Sequence, residues 1–560
     1  MHTWIRVVLL LALAAPALAQ TITFKQESVQ AGGQTLQIEM GELPVPENRA
    51  DPKSRTITLR LARLKSTSAE HGPPIVYLAG GPGGSGIGAA RSSRLPLFLA
   101  LREFGDVIAF DQRGTGSSEP DLGCRGTPAI SLDAPLDRIQ SGAALARMVA
   151  ACAEKARAGG VDLDAYNTRS SAADLEDLRK ALGAEKLVLW GISYGTHLAT
   201  ATMREFPKSI DRVILAGIEG PDDTYKLPSD QQTLLEQIAL LSPGDLLGSI
   251  GSVLRELEKS PKRVSLTHPA TGQAVDVALG PLDFRMALAQ MLEGPDAFAG
   301  MSDFVTRIEG GDWTALALAA VPYRLRDSAS LMTLAMDCAS GISEARRALI
   351  ADESKRTLLG DAINLPFPEV CKGINVRDLG EDFRAPLQSD IPALLISGTL
   401  DGRTRPRQAE ELRRGMPNAQ HLIIDGAGHS DPLFLSSPKI LEAMKSFLRD
   451  GTLEERLISL PPVKILSPRK VVKLSEDVLQ RYVGTYRIDE KTTRRVVRAG
   501  ALLYTIRGEN SPLPLRPLSA TTFFYEGSDV WVEFETGAEE AITAMVLHPS
   551  DGEAQRAVRE

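Results

Sequence analysis

No run of basic residues occurs in this chain, and its formal net charge is −8. Both facts exclude nucleic acid as a partner, because such a surface needs a basic patch or stripe. No segment beyond the first twenty residues is apolar for long enough to span a bilayer, so no membrane anchor is expected. Cysteine is scarce: Cys124, Cys152, Cys338 and Cys371 are the four present, and none has zinc-ligand spacing. The glycine-rich stretch Gly80-Gly81-Pro82-Gly83-Gly84-Ser85-Gly86 lacks the G-K-[ST] ending of a phosphate loop. Histidine is scarce too, with seven in 560 residues, which leaves few candidates for a catalytic base.

What is present is an ordinary globular composition, 43% hydrophobic and 24% charged, in a chain long enough for several domains. The first residues stand apart. Arg6 precedes the apolar run Val7 to Ala15, and Ala17-Leu18-Ala19 fits an A-x-A cleavage site. Residues 1–19 are therefore expected to be a secretory signal peptide with Gln20 as the mature start. The apolar run is too short for a membrane anchor, and no Cys follows the cleavage site for lipidation. Export to the periplasm or medium permits disulfides. Of three formal pairings, Cys124–Cys152 and Cys338–Cys371 are expected, because each closes a loop within one region.

The stretch that organises the chain is Lys186-Leu-Val-Leu-Trp190-Gly191-Ile192-Ser193-Tyr194-Gly195-Thr196-His197. An apolar run leads into G-x-S-x-G, and a helical pattern follows as far as Pro207. In a strand–turn–helix setting that motif is a nucleophile elbow, with Ser193 exposed at the end of a sheet strand. Upstream, Thr56 to Leu64 alternates like a half-buried strand. Ile75-Val-Tyr-Leu-Ala79 and Val107-Ile-Ala-Phe110 are continuous apolar runs, as in strands buried on both faces. The first leads into the glycine stretch, which suits an oxyanion-hole loop. Asp111 and Arg113, in Asp111-Gln112-Arg113-Gly114-Thr115-Gly116-Ser117-Ser118, are expected to tie loops together. Ser171-Ala-Ala-Asp174 is expected to open a helix as a capping-box variant. Strand and helix alternate in this part, which implies a parallel sheet.

After the strand Arg212 to Gly217 the pattern turns mostly helical, from about Pro221 to Arg384. Strand rhythm returns at Ile391 to Gly398, before Asp401, and at His421 to Ile424, before Gly428-His429. Ser193, Asp401 and His429 thus occur in the order Ser…Asp…His of α/β-hydrolases, each just after a buried strand. A serine hydroxyl needs a base, and the base needs a carboxylate to orient it and to stabilise its charged form. His2 lies in the leader, and His71, His268, His421 and His548 lack a strand-end loop; His197, inside the elbow helix, is expected to pack.

On the glycine stretch, the Asp111–Ser118 segment, Gly191-Ile192-Ser193-Tyr194-Gly195, Asp401 and Gly428-His429, the chain resembles the proline iminopeptidases of the α/β-hydrolase superfamily. Within them it is most similar to the secreted tripeptidyl-aminopeptidase-like branch. The resemblance covers roughly residues 40–450, and Ala79 stands where many iminopeptidases have His. It implies serine-peptidase chemistry at the N-terminus of peptides, with no metal or organic cofactor. The alternatives are an esterase or amidase of small molecules and a non-catalytic binding protein on the same fold.

The expected architecture is an α/β-hydrolase core in two parts, residues 20–220 and 386–456, with a helical cap inserted at 221–385. Residues 457–560 are expected to be a linker and a small β-rich domain, with strands at 494–498, 502–506, 522–525, 530–534 and 544–547. The oxyanion is assigned to the N–H groups of Tyr194 and Gly81. Crowding Gly81 with Val is expected to lower kcat about 10²-fold and to leave stability largely intact. An exopeptidase also needs a carboxylate for the substrate's ammonium, since an unpaired buried charge is costly. Glu219, just past a strand end, is the leading candidate and Asp337 the second.

Overall fold

The computed structural model describes residues 22–31, 34–126, 130–269, 271–490, 492–550 and 552–560. The expected leader, residues 1–19, and Gln20 lie outside the described residues. Ten strands form one sheet: Phe24–Ala31 (β1), Gln34–Pro46 (β2), Thr56–Leu64 (β3), Ile75–Leu78 (β4), Val107–Phe110 (β5), Leu187–Ser193 (β6), Ile210–Ile218 (β7), Ala393–Gly398 (β8), Ala419–Asp425 (β9) and Leu457–Ser459 (β10). Their spatial order is β1-β2-β3-β5-β4-β6-β7-β8-β9-β10. The β1–β2, β2–β3 and β3–β5 pairs are antiparallel. Every pair from β5–β4 onward is parallel. This is the α/β-hydrolase fold.

The side-chain period of two divides the central strands between two cores. Val76, Leu78, Ile108, Phe110 and Leu189 face one core, which the helices Thr168–Ala181 and Tyr194–Glu205 cover with Leu175, Leu178 and Leu198. Ile75, Tyr77, Val107, Val188 and Trp190 face the other, against Phe98, Phe434 and Phe447. Burial on both faces explains why β4 and β5 read as unbroken apolar runs. Each fully buried side chain of this kind contributes about 1.5–3 kcal/mol.

The helix expected to open at Ser171 starts earlier, at Thr168. Its cap is Asn167, whose side chain accepts from the Ser170 N–H. Asp174 is no cap. It receives Nε and Nη2 of Arg113, both at 2.7 Å, in a fully buried pair. Asp111 accepts from the Ser85 hydroxyl at 2.7 Å and the Ile87 N–H at 3.0 Å, which fastens the glycine loop to β5.

Between β7 and β8 lies the cap, with its own core around Leu234, Ile250, Leu257, Phe284 and Phe304. It is not helical throughout: Lys262–Thr267 and Ala274–Leu279 pair as an antiparallel hairpin. The C-terminal strands close an eight-stranded barrel. Besides the five expected strands it includes Gly484–Arg487, Leu513–Pro517 and Gln555–Arg559. Closure removes the exposed edges that so short a set would otherwise present.

A buried ion network clamps the barrel to the cap. Fully buried Asp303 accepts from Arg307 Nε at 3.3 Å and Arg469 Nη2 at 2.8 Å. Arg307 also meets Glu526, and Arg516 meets Asp312 at 2.5 Å. Removing one member leaves buried charge unpaired, at a cost of about 3–5 kcal/mol. Asp303→Asn should therefore release the barrel, seen in calorimetry as a separate transition below that of the core. A single unshifted transition would show that the network is not the clamp.

Candidate active site

Strand β6 turns into the helix Tyr194–Glu205 without an intervening loop, and Ser193 at the corner has φ 53° and ψ −125°. Such a conformation costs on the order of 1–3 kcal/mol and persists only where the surroundings over-determine it. Here backbone does so. A Cβ on Gly195 would collide with the Leu78 carbonyl, and one on Gly191 would lie 2.7 Å from the Gly195 oxygen. The motif's glycines are thus set by close approach of strand and helix. The glycine loop after β4 closes over the same corner, since a Cβ on Gly80 would lie 3.0 Å from that of Ser193.

Ser193 lines a cavity of about 610 Å³ together with Gly81, Glu219, Lys226, Asp337 and His429. The loops after β8 and β9 carry Asp401 and His429: His429 lines the cavity, and Asp401 is fully buried beside it. His429 Nδ1 lies 2.8 Å from Asp401 Oδ2. The N–H groups of Arg403 and Thr404 donate to Asp401 Oδ1 at 2.7 and 2.8 Å, and the Thr404 hydroxyl donates to Oδ2 at 2.7 Å. Burial alone would raise the Asp401 pKa. The His429 imidazole and the Thr404 hydrogen bonds outweigh it, and the carboxyl is held below its ordinary value.

The imidazole loop is clamped on both sides. The His429 N–H donates to the Glu293 carbonyl of the cap at 3.0 Å. Arg94 donates to Ser430 Oγ at 2.8 Å and Asp431 Oδ1 at 2.7 Å, and reaches Tyr77. Ser193 and His429 share the cavity but no hydrogen bond joins them, a looseness common before substrate binds. Of the expected oxyanion donors, Tyr194 is the residue after the serine and Gly81 lines the same cavity. Gly81 has φ 122°, and a Cβ there would lie 2.8 Å from the Gly83 nitrogen. The expectation that Gly81→Val spares stability is therefore corrected: the substitution strains the loop and is no clean probe.

The two acidic candidates both reach the cavity, in different states. Glu219 is paired, its Oε2 2.6 Å from the Lys226 ammonium. Asp337 has no side-chain hydrogen bond or ion pair among the described residues. Burial, reinforced by the Glu219 charge and opposed by Lys226, pushes its carboxyl well above the usual range. Glu219 thus faces the cavity already paired, and Asp337 faces it without a partner among the described residues. His197 packs as expected, buried between the Gly220 carbonyl at 3.0 Å and the Ser340 hydroxyl at 3.2 Å. Both disulfides join the expected neighbours, Cys124–Cys152 and Cys338–Cys371, and the second lies beside Asp337.

Lys226, Arg94 and Thr404 were not anticipated. Thr404 had a local signal, a hydroxyl three residues after an aspartate. A second array mimics the first: His421 bridges Ser397 Oγ at 2.9 Å and Glu410 Oε1 at 2.6 Å. Ser397 is fully buried, so no substrate reaches it.

Residues 73–269 match the family described as alpha/beta hydrolase fold, and residues 360–458 the one described as TAP-like protein. Serine protease Hip1 of Mycobacterium tuberculosis is 33% identical over 190 residues, 32% of this chain and 36% of that protein. A tripeptidyl aminopeptidase of Streptomyces lividans is 24% identical over 467 residues, covering 76% and 84% of the two chains. A probable proline iminopeptidase of Streptomyces coelicolor is 25% identical over 392 residues, covering 69% and 90%. The chain spans only about a third of the length of Hip1. These likenesses support a serine-type hydrolase or peptidase.

The state of Asp337 has a consequence for stability. Its folded pKa lies above the unfolded value of 3.8. Between the two the folded protein binds a proton that the unfolded chain has released, so stability falls as pH rises through that window. Asp337→Asn removes the penalty. Its melting temperature should exceed that of the wild type at neutral pH, and the gain should vanish below about pH 3.8. An equal or lower Tm at neutral pH would show that the carboxyl has a stabilising partner.

Proposed function

Because the chain is an α/β hydrolase with a TAP-like segment, we propose that it is an exported serine peptidase removing residues or short peptides from free N-termini. The observation that carries the reading is one cavity in which the serine of a strained elbow faces an aspartate-held imidazole and acidic side chains on the cap side. Two disulfides fit an oxidising compartment.

In this reading Ser193 Oγ attacks the carbonyl carbon of the scissile bond while His429 Nε2 takes the hydroxyl proton. Asp401 keeps Nδ1–H in place and stabilises the imidazolium. The tetrahedral oxyanion is held by the N–H groups of Gly81 and Tyr194. Collapse breaks the C–N bond, and His429 returns the proton to the leaving amine. A water, deprotonated by His429, then hydrolyses the acyl-enzyme. The strain at Ser193 keeps its hydroxyl exposed, so little reorganisation is needed at the reacting atom.

Ser193→Ala should lower kcat about 10⁴-fold or more with the fold intact. The wild type should turn over peptidyl-nitroanilides with a free amine and lose a large factor in kcat/KM when that amine is acetylated. Equal turnover of both, with nitrophenyl esters preferred, would replace this reading with a small-molecule esterase or amidase.

A further inference from the structure

The acidic wall of the cavity carries its own cation. Lys226 donates to Glu219 Oε2 at 2.6 Å and to the Asp223 carbonyl at 2.9 Å. Its backbone is fixed as well, because Asn364 accepts from the Lys226 N–H at 2.7 Å and donates to its carbonyl at 2.8 Å. The ammonium is therefore a permanent fixture of the wall. Glu219 pairs with Lys226 and Glu293 faces Arg403 at 3.8 Å, so among the described residues lining the cavity Asp337 is the carboxyl left without a cation.

We propose that Asp337, not Glu219, receives the ammonium group of the substrate, and that Lys226 decides this by occupying Glu219. The inference rests on the exopeptidase reading and goes beyond it by dividing the roles on the wall. A substrate cation at Glu219 would have to share a carboxylate whose charge the Lys226 ammonium already neutralises, at the cost of cation–cation repulsion. At Asp337 it displaces nothing, and it supplies the partner that this half-buried, cavity-lining carboxyl lacks. The disulfide at Cys338 anchors the adjoining residue, so Asp337 presents its carboxyl from a fixed backbone. Lys226 acts through Glu219 and is a positioning residue: it makes one carboxylate site out of two.

The test is the ratio of kcat/KM for free and N-acetylated peptidyl-nitroanilides in four proteins whose folding is checked by thermal melts. Asp337→Asn should lower the wild-type ratio about 10- to 100-fold, the scale of one lost hydrogen bond to a charge. The double variant Glu219→Gln/Lys226→Met, which deletes the internal pair, should keep it within about threefold, on the scale of a near-neutral swap. Lys226→Met alone frees Glu219 as a second acceptor, so the ratio should rise, through KM rather than kcat. A merely structural lysine would not raise it. Asp337→Ser provides a second substitution should the asparagine variant fold poorly. A ratio kept in Asp337→Asn but lost in the double variant would overturn the assignment and leave the exopeptidase reading standing. A ratio near one in the wild type would overturn both.

Discussion

The site depends on one contact of backbone with backbone. The first turn of the elbow helix lies against the end of β4, with Gly195 over the Leu78 carbonyl and Gly191 under the Gly195 carbonyl. No side chain fits at either place. That approach forces Ser193 to φ 53° and turns its hydroxyl out of the sheet. The neighbouring parts follow from it. Because β4 is pressed against the elbow, the glycine loop that continues β4 lies on the Ser193 side chain. Because β8 and β9 pair in parallel, the loops carrying Asp401 and His429 leave the sheet at one edge. The strained corner is held in a sheet buried on both faces.

The cavity also shows how the balance of partners against burial decides the state of a carboxyl. Asp401 is fully buried, and Asp337 is half-buried in the cavity wall. Asp401 is surrounded by donors and an imidazole, and its pKa is lowered against the effect of burial. At Asp337 the Lys226 charge does not offset desolvation, the Glu219 charge adds to it, and the pKa is raised. One is satisfied by the protein itself, and the other has no such partner among the described residues.

The elbow, the order of Ser193, Asp401 and His429, and the neighbouring disulfides were legible in the sequence because each rests on a short local pattern. The glycines and the apolar runs before each residue report burial and close approach directly. What escaped depends on distant partners. Lys226 is fixed by Asn364, 138 residues away, and Arg94 holds Ser430 across 336 residues. No local pattern encodes either. The helix start was misplaced because Ser171 and Asn167 both offer caps, and the buried arginine that claims Asp174 could not be seen. The barrel strand Leu513–Pro517 was missed because its prolines break strand patterning. The hairpin in the cap was too short to stand out among helices.

The central claim is that Ser193 is the nucleophile activated by His429. The most direct measurement is to treat the folded protein with a fluorophosphonate, digest it and locate the phosphonyl adduct by mass spectrometry. The adduct should form on Ser193 alone and should be lost when His429 is replaced by Ala. No adduct on the wild type, or an adduct on Ser397 or any other serine, would contradict the account.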